Sequence, residues 1–403
     1  MHEVWGMAAL WLGLALLATL LSIWFRIATA LSEIVVGTVA QLLIGAFLAA
    51  SLGADQPWIK FLSGTGAIVL TFLAGAELDP GVFKAKWKEA TAIGLISFAA
   101  PFLGCTAAAY YLLGWTVRAS WLAGVALSTT SVAVVYAVML ELGLNKTDFG
   151  KSVLAACFIT DLGTVVALGA LFAPFTVRTV VFAGVAIVVF AALPSLTPWF
   201  FRKYGGRPSE LETKYLLLIL FGLGSLAAWS DSEAVLPAYV VGMVLAGTVG
   251  RDHALVRRLR TLTFGLLTPF YFIRAGSYVS VPAILAAPAA ILVLFLAKMA
   301  TKMVGVYPAT KFFRYAQKEG MYTTLLMSTG LTFGSISALF GLTHGIIDKG
   351  QYSLLIFIVI GSAVVPTVIA NAFFLPRYLL PGPVPSEKAA PAAAAGMDAK
   401  AEG

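Results

Sequence analysis

The chain has 403 residues, 60% of them hydrophobic and 11% charged, whereas a soluble domain carries roughly 25% charged residues. That balance excludes an ordinary water-soluble fold and points to a bilayer. The net charge of +8 would suit nucleic acid, but the basic excess sits in short links between apolar runs, so topology accounts for it and no nucleic-acid partner is expected.

Apolar runs near the ~20 residues that cross a bilayer occupy residues 5–25, 30–52, 59–77, 89–113, 119–143, 148–173, 176–201, 212–229, 233–250, 262–280, 282–309, 320–344 and 351–378. All thirteen segments are expected to be helices, because a helix satisfies its own backbone in lipid. The first is preceded only by Met1-His2-Glu3, has no basic leader and is followed at once by another span, so it reads as a retained helix. Residues 1–380 thus read as one transmembrane unit. Residues 381–403, rich in Pro, Ala and Gly, read as a disordered cytoplasmic tail.

Lys and Arg accumulate on the cytoplasmic side of a membrane. With the N-terminus outside, twenty of the 27 Lys and Arg fall on the inner side, four (Lys60, Arg118, Arg178, Lys349) fall outside, and Arg274, Lys298 and Lys302 lie within segments. The expected location is the cytoplasmic (inner) membrane, with the C-terminus cytoplasmic.

Segment 5 holds Ser128-Thr129-Thr130-Ser131 near its centre, and segment 12 holds Ser328-Thr329-Gly330-Leu331-Thr332-Phe333-Gly334-Ser335. Small and hydroxyl residues also serve plain helix packing in membranes, but here the two runs occupy matching places. Each lies in the fifth segment of a block of six, 1–6 and 8–13, with segment 7 as linker. An offset of seven segments orients them oppositely, as two inverted six-helix repeats with crossed discontinuous helices require.

Asp161, in Cys157-Phe158-Ile159-Thr160-Asp161-Leu162-Gly163-Thr164, sits within two residues of the middle of segment 6. A carboxylate there costs about 2.5–3.5 kcal/mol even on lenient insertion scales, which marks a functional group or a structural ion pair. Cys157 and Thr164 share its helical face. Lys298 and Lys302 share one face of segment 11, Lys298 nearer mid-membrane and Lys302 nearer the inner end, where it can snorkel. Arg274 approaches an outer helix end, where a structural role is as well supported as a functional one. Glu33 and Glu77 lie near inner ends and are expected to reach water.

A lone carboxylate in a dehydrated, hydroxyl-lined setting suits competition between a proton and a small hard cation, which takes oxygen ligands. The expected proton and Na+ site is Asp161 with Thr160, Thr129, Thr130, Ser131 and Cys157. Asp161, Thr130 and Ser131 are the metal ligands, Lys302 and Lys298 the charge partners, and Thr332, Gly334 and Ser335 the crossing region. The cargo is a monovalent cation, Na+ with K+ or Li+ as further candidates, exchanged for protons; no cofactor is called for. Cys105 and Cys157 lie within segments, so neither a disulfide nor a paired-Cys metal site is expected.

At these residues the chain resembles the cation:proton antiporter superfamily, particularly bacterial sodium/proton antiporters and the spore-germination branch. The resemblance rests on Phe72-Leu73-Ala74-Gly75-Ala76-Glu77-Leu78-Asp79-Pro80, the Ser/Thr run of segment 5, Thr160-Asp161 followed by Leu162-Gly163-Thr164-Val165, and Lys302-Met303-Val304-Gly305. It implies a homodimer in lipid, with core helices at about 89–173 and 282–378 and dimerisation helices at about 5–77 and 176–280. Segments 5 and 12 would cross beside Asp161. Some relatives carry two acids where this chain has Thr160-Asp161, a difference linked with electroneutral exchange, while Lys302 resembles the basic residue of electrogenic relatives. Stoichiometry therefore stays open. Segment 12 lacks the Arg-Gly-Glu pattern of many relatives, so Lys302 is expected to pair with Asp161 in the absence of sodium.

The alternative is a sodium-coupled organic-anion symporter of the bile-acid-transporter type, which shares crossed broken helices but calls for a richer polar cavity. No filter-like loop marks a channel. No His-Glu-x-x-His or Gly-x-Gly-Asp sequence marks an intramembrane enzyme.

Overall fold

The computed structural model describes residues 2–25, 27–48, 51–76, 81, 86–144, 147–172 and 176–380. Its regular elements, among the described residues, are all helical. In chain order they are α1 (His2–Phe25), α2 (Thr29–Leu48), α3 (Pro57–Ala76), α4 (Trp87–Ala107, prolonged by a π turn), α5 (Val117–Ser128) and α6 (Val132–Glu141). There follow α7 (Asp148–Phe172), α8 (Val177–Tyr204), α9 (Leu211–Trp229), α10 (Val235–Leu245), α11 (His253–Leu262) and, after a π turn, α12 (Thr268–Ser277). The chain ends with α13 (Val281–Ala286), α14 (Pro288–Phe312), α15 (Gln317–Met327), α16 (Thr332–Thr343) and α17 (Lys349–Ile369).

Among the described residues, ten helical spans are long and apolar enough to cross a membrane, the broken pair α15–α16 (Gln317–Thr343) counted as one. Every predicted segment contains helix, and two departures from the predicted bounds have local causes. Segment 10 begins earlier, at His253, because α11 is amphipathic: Leu255 and Leu259 are buried while Arg257 and Arg258 face out, a pattern a hydropathy window misses. Segment 11 splits at Ala287 (φ −133°, ψ 52°), where Pro288 starts a new helix at its first position. Segments 5 and 12, expected to be discontinuous, are each two half-helices: α5 and α6 flank Thr129–Ser131, and α15 and α16 flank Ser328–Leu331. The expected tail and Glu77 to Pro80 lie outside the described residues.

Two helix pairs approach through glycine. A Cβ on Gly75 or Gly242 would strike the backbone of the facing helix, α10 or α3, and the same holds for Gly37 and Gly276 between α2 and α12. Small residues permit such backbone contact in lipid, where packing rather than hydrophobicity drives association. Helices α5, α7 and α14 all pack against α4, and α16 packs against α17. The buried Tyr239 of α10 ties into this group by donating its hydroxyl to Phe158 O at 2.9 Å. Ser22, Leu31, Val138 and Ala363 are among the residues lining a cleft of about 510 Å³ where α1 and α2 face α6 and α17.

Candidate functional site: two broken helices crossing beside Asp161

The breaks in the fifth and twelfth segments meet. Ser131 N donates to Thr329 O at 3.1 Å, and Thr130 Oγ1 donates to Met327 O at 2.8 Å. Thr129 leaves the helix in an extended conformation (φ −61°, ψ 154°). A hydroxyl makes such a break tolerable by capping carbonyls that lose their helical donors. Ser128 Oγ donates to Val125 O, Thr129 Oγ1 to Ala126 O, Ser328 Oγ to Thr324 O and Thr329 Oγ1 to Leu326 O. Two helix N-termini (α6, α16) and two C-termini (α5, α15) therefore converge, and their opposite partial charges compensate.

Helix α14 sends one lysine to each break. Lys302 Nζ donates to Ser97 Oγ at 2.8 Å and to Thr130 Oγ1 at 3.1 Å. Four residues earlier, Lys298 Nζ donates to Ser362 Oγ at 2.8 Å, and a Cβ on Gly330 would lie 2.5 Å from that same Nζ. Both lysines are fully buried, so Lys302 does not take the snorkelling alternative that its position in the segment left open. Its ammonium is satisfied inside the protein instead, by hydroxyls of α4 and the first break. Ser97 and Ser362, which complete these contacts, were not among the expected site residues; a lone serine in a membrane segment carries no signal without its partner.

Asp161 lies on α7, 1% exposed, and its Oδ1 has no hydrogen-bond partner. The ion pair expected with Lys302 is absent among the described residues: Lys302 donates to Ser97 and Thr130 instead. A buried carboxylate oxygen with no donor is costly, and a proton or a bound cation is what relieves that cost.

The other expected residues divide by what their polar atoms already do. Thr160 Oγ1 donates to Gly94 O and Ala156 O, both at 3.1 Å, and holds α7 against α4. Cys157 Sγ donates to Met327 Sδ at 3.5 Å, linking α7 to the last residue of α15; both cysteines are free. Ser131 Oγ accepts from Val134 N at 3.3 Å, capping α6. Gly334 fits against α5, since a Cβ there would sit 2.9 Å from Ala126 O and 3.2 Å from Thr129 Oγ1. Ser335 Oγ is buried without a partner, and Thr332, at the start of α16, is half-buried.

Two outlying charges also find places. Arg274 is structural, its Nε donating to Ala54 O at 2.9 Å and its Nη2 to Tyr278 Oη at 3.0 Å. Glu33 is 2% exposed, which corrects the expectation that it reaches water: α2 turns it inward.

The sequence and the fold were compared with known proteins. A "Probable Na(+)/H(+) antiporter 3" of Methanocaldococcus jannaschii is 25% identical over 353 residues, covering 83% of this chain and 89% of that protein. A "Na(+)/H(+) antiporter" of Enterococcus hirae is 23% identical, covering 83% of this chain and 91% of that one. "Cation/H(+) antiporter 17" of Arabidopsis thaliana is 25% identical, and the match takes in 41% of its length. The solved structure of the sodium proton antiporter MjNhaP1 from M. jannaschii at pH 8 superposes with a TM-score of 0.69 at 16% identity, over 92% of this chain and 96% of that one, a likeness of fold. The family described as "Sodium/hydrogen exchanger, transmembrane" matches residues 12–375, and the chain therefore belongs to the sodium/hydrogen exchanger family.

Proposed function

We propose that this multi-pass membrane protein is a secondary antiporter that exchanges Na+ for H+ by alternating access, the two competing for Asp161. The observation that carries this reading is the unpartnered Asp161 oxygen, buried beside the crossing of two broken helices. Family membership and the named antiporter relatives agree with it, and they leave the bile-acid-type symporter alternative without support.

A proton or a sodium ion neutralises the carboxylate, and only the neutral site crosses the apolar barrier, so the two move in opposite directions. Sodium takes oxygen from Asp161 and from hydroxyls and carbonyls freed at the breaks, Thr130 and Ser131 first among them. Helices α4 to α7 and α13 to α17 form the moving core, and α1 to α3 with α8 to α12 the scaffold on which a homodimer is built. The N-terminus is outside and the chain resides in the inner membrane, following the basic links. No enzymatic step is involved.

The test is a proteoliposome assay in which an imposed sodium gradient drives proton movement, with and without a clamped membrane potential. Asp161→Asn is expected to abolish exchange while the protein stays folded. Persistent exchange in that variant sinks the assignment.

A further inference from the structure

Between α7, α10 and α16 lies a small cavity of about 10 Å³, close to the smallest volume that holds one water molecule. Its polar lining is Glu233, Thr164 and Ser337; Phe333, Leu168 and Val165 are among its apolar walls. The Ser337 hydroxyl oxygen is buried with no hydrogen-bond partner. Glu233 stands in the link before α10, half-buried, and no cation pairs with it among the described residues. Tyr271, whose own buried hydroxyl lacks a partner, lies within electrostatic reach of Glu233.

The cavity is placed with respect to Asp161 by α7 itself. Thr164 follows Asp161 by three residues, on the same helical face and about 4.5 Å further along the axis. Its hydroxyl donates to Thr160 O at 3.0 Å, which leaves oxygen lone pairs free to accept. A carboxylate, an unpartnered hydroxyl and a second hydroxyl oxygen thus surround a space too small for a hydrated ion or an organic solute. Oxygen donors with one negative charge are the ligands a hard cation takes, and the apolar walls strengthen that attraction by excluding water.

We infer that this cavity is a second, weaker sodium site, a station through which the ion passes between Asp161 and the membrane face that carries Glu233. The inference rests on the antiport reading above. In the orientation proposed there, that face is the outer one, so sodium shed by Asp161 in the outward-open state dwells at Glu233 and Ser337 before it reaches water. Sodium arriving from that side meets the same station first.

The experiment uses the full chain in liposomes of established orientation, with sodium presented to one face at a time and proton movement as the readout. Glu233→Gln is expected to raise the apparent KM for sodium on the Glu233 face about tenfold relative to the KM on the opposite face, the change that about 1.4 kcal/mol of lost binding produces. Ser337→Ala is expected to move the same ratio in the same direction by less, and it reads the cavity independently should Glu233→Gln fail to fold. Glu233→Asp is expected to restore part of the ratio, which a merely structural acid would not do.

An unaltered ratio, or an equal rise on both faces, overturns the station and assigns the cavity to water or to packing. If wild-type protein exchanges and Asp161→Asn does not, that overturn leaves the antiport reading standing. A wild-type protein that moves no protons under a sodium gradient overturns both.

Discussion

Gly334→Ala tests whether the crossing depends on close contact between α16 and α5. The added methyl would lie 2.8 Å from Val359 Cγ2, 2.9 Å from Ala126 O and 3.2 Å from Thr129 Oγ1. Two of these atoms cannot swing aside: the carbonyl belongs to the last turn of α5, and Thr129 is held by its own bond to that carbonyl. Overpacking of this kind costs about 1–3 kcal/mol, set against a gain of up to about 1 kcal/mol that alanine brings to a helix interior. Gly222→Ala in α9 is the control, because nothing lies within 4 Å of the position its methyl would take, and there the helical gain stands alone. Thermal unfolding of the detergent-solubilised proteins should therefore place Gly334→Ala below wild type and Gly222→Ala at or above it. Sodium-driven proton movement should fall only in the first, since the crowded Thr129 belongs to the break. Equal stability and equal exchange in the two variants would refute the claim that the crossing is packed this tightly.

Lys302→Ala leaves the Ser97 and Thr130 hydroxyls without their shared donor and removes the basic side chain bonded to the first break. The pH profile of exchange should therefore shift; an unchanged profile counts against a role for Lys302 at the site. At the membrane surface, partial burial works against ionisation of Asp55, but hydrogen bonds from Lys60 and Tyr278 and the charges of Lys60 and Arg274 outweigh it and hold the carboxyl below its usual range. A depressed carboxylate stabilises above its unfolded pKa, and the contribution fades as pH falls through the native value. Asp55→Asn should accordingly lower stability at neutral pH by at most about 1 kcal/mol, given its exposure, with the gap to wild type closing in acid thermal scans. Cys105 and Cys157 are fully buried, so a thiol reagent should label neither in the native protein and both after denaturation; rapid native labelling would contradict the packing.

Much of this molecule is written in local sequence. The long apolar runs state their own helicity, because lipid offers the backbone no other partner. The two hydroxyl-rich runs announce their breaks, because those side chains bond to the backbone that a continuous helix would otherwise occupy. Asp161 stands out by its cost alone. Hydropathy was blind where a helix is amphipathic, as at Leu255 and Leu259 of α11, or where one proline resets the axis, as at Pro288.

What tertiary structure decided is the pairing of polar atoms across distant segments. Spacing put Lys298 and Lys302 on one face but left open what each would meet; the packing of α14 gives Lys302 to Ser97 and Thr130 and Lys298 to Ser362, and leaves Asp161 without a cation in hydrogen-bond contact. The same holds for the cavity shared by Glu233, Thr164 and Ser337, whose members come from three elements far apart in the chain. Periodicity fixes which side of a helix a residue takes, since that follows from its own backbone. Which group it meets there depends on the neighbour's identity, rotation and depth, and those exist only once the helices have packed.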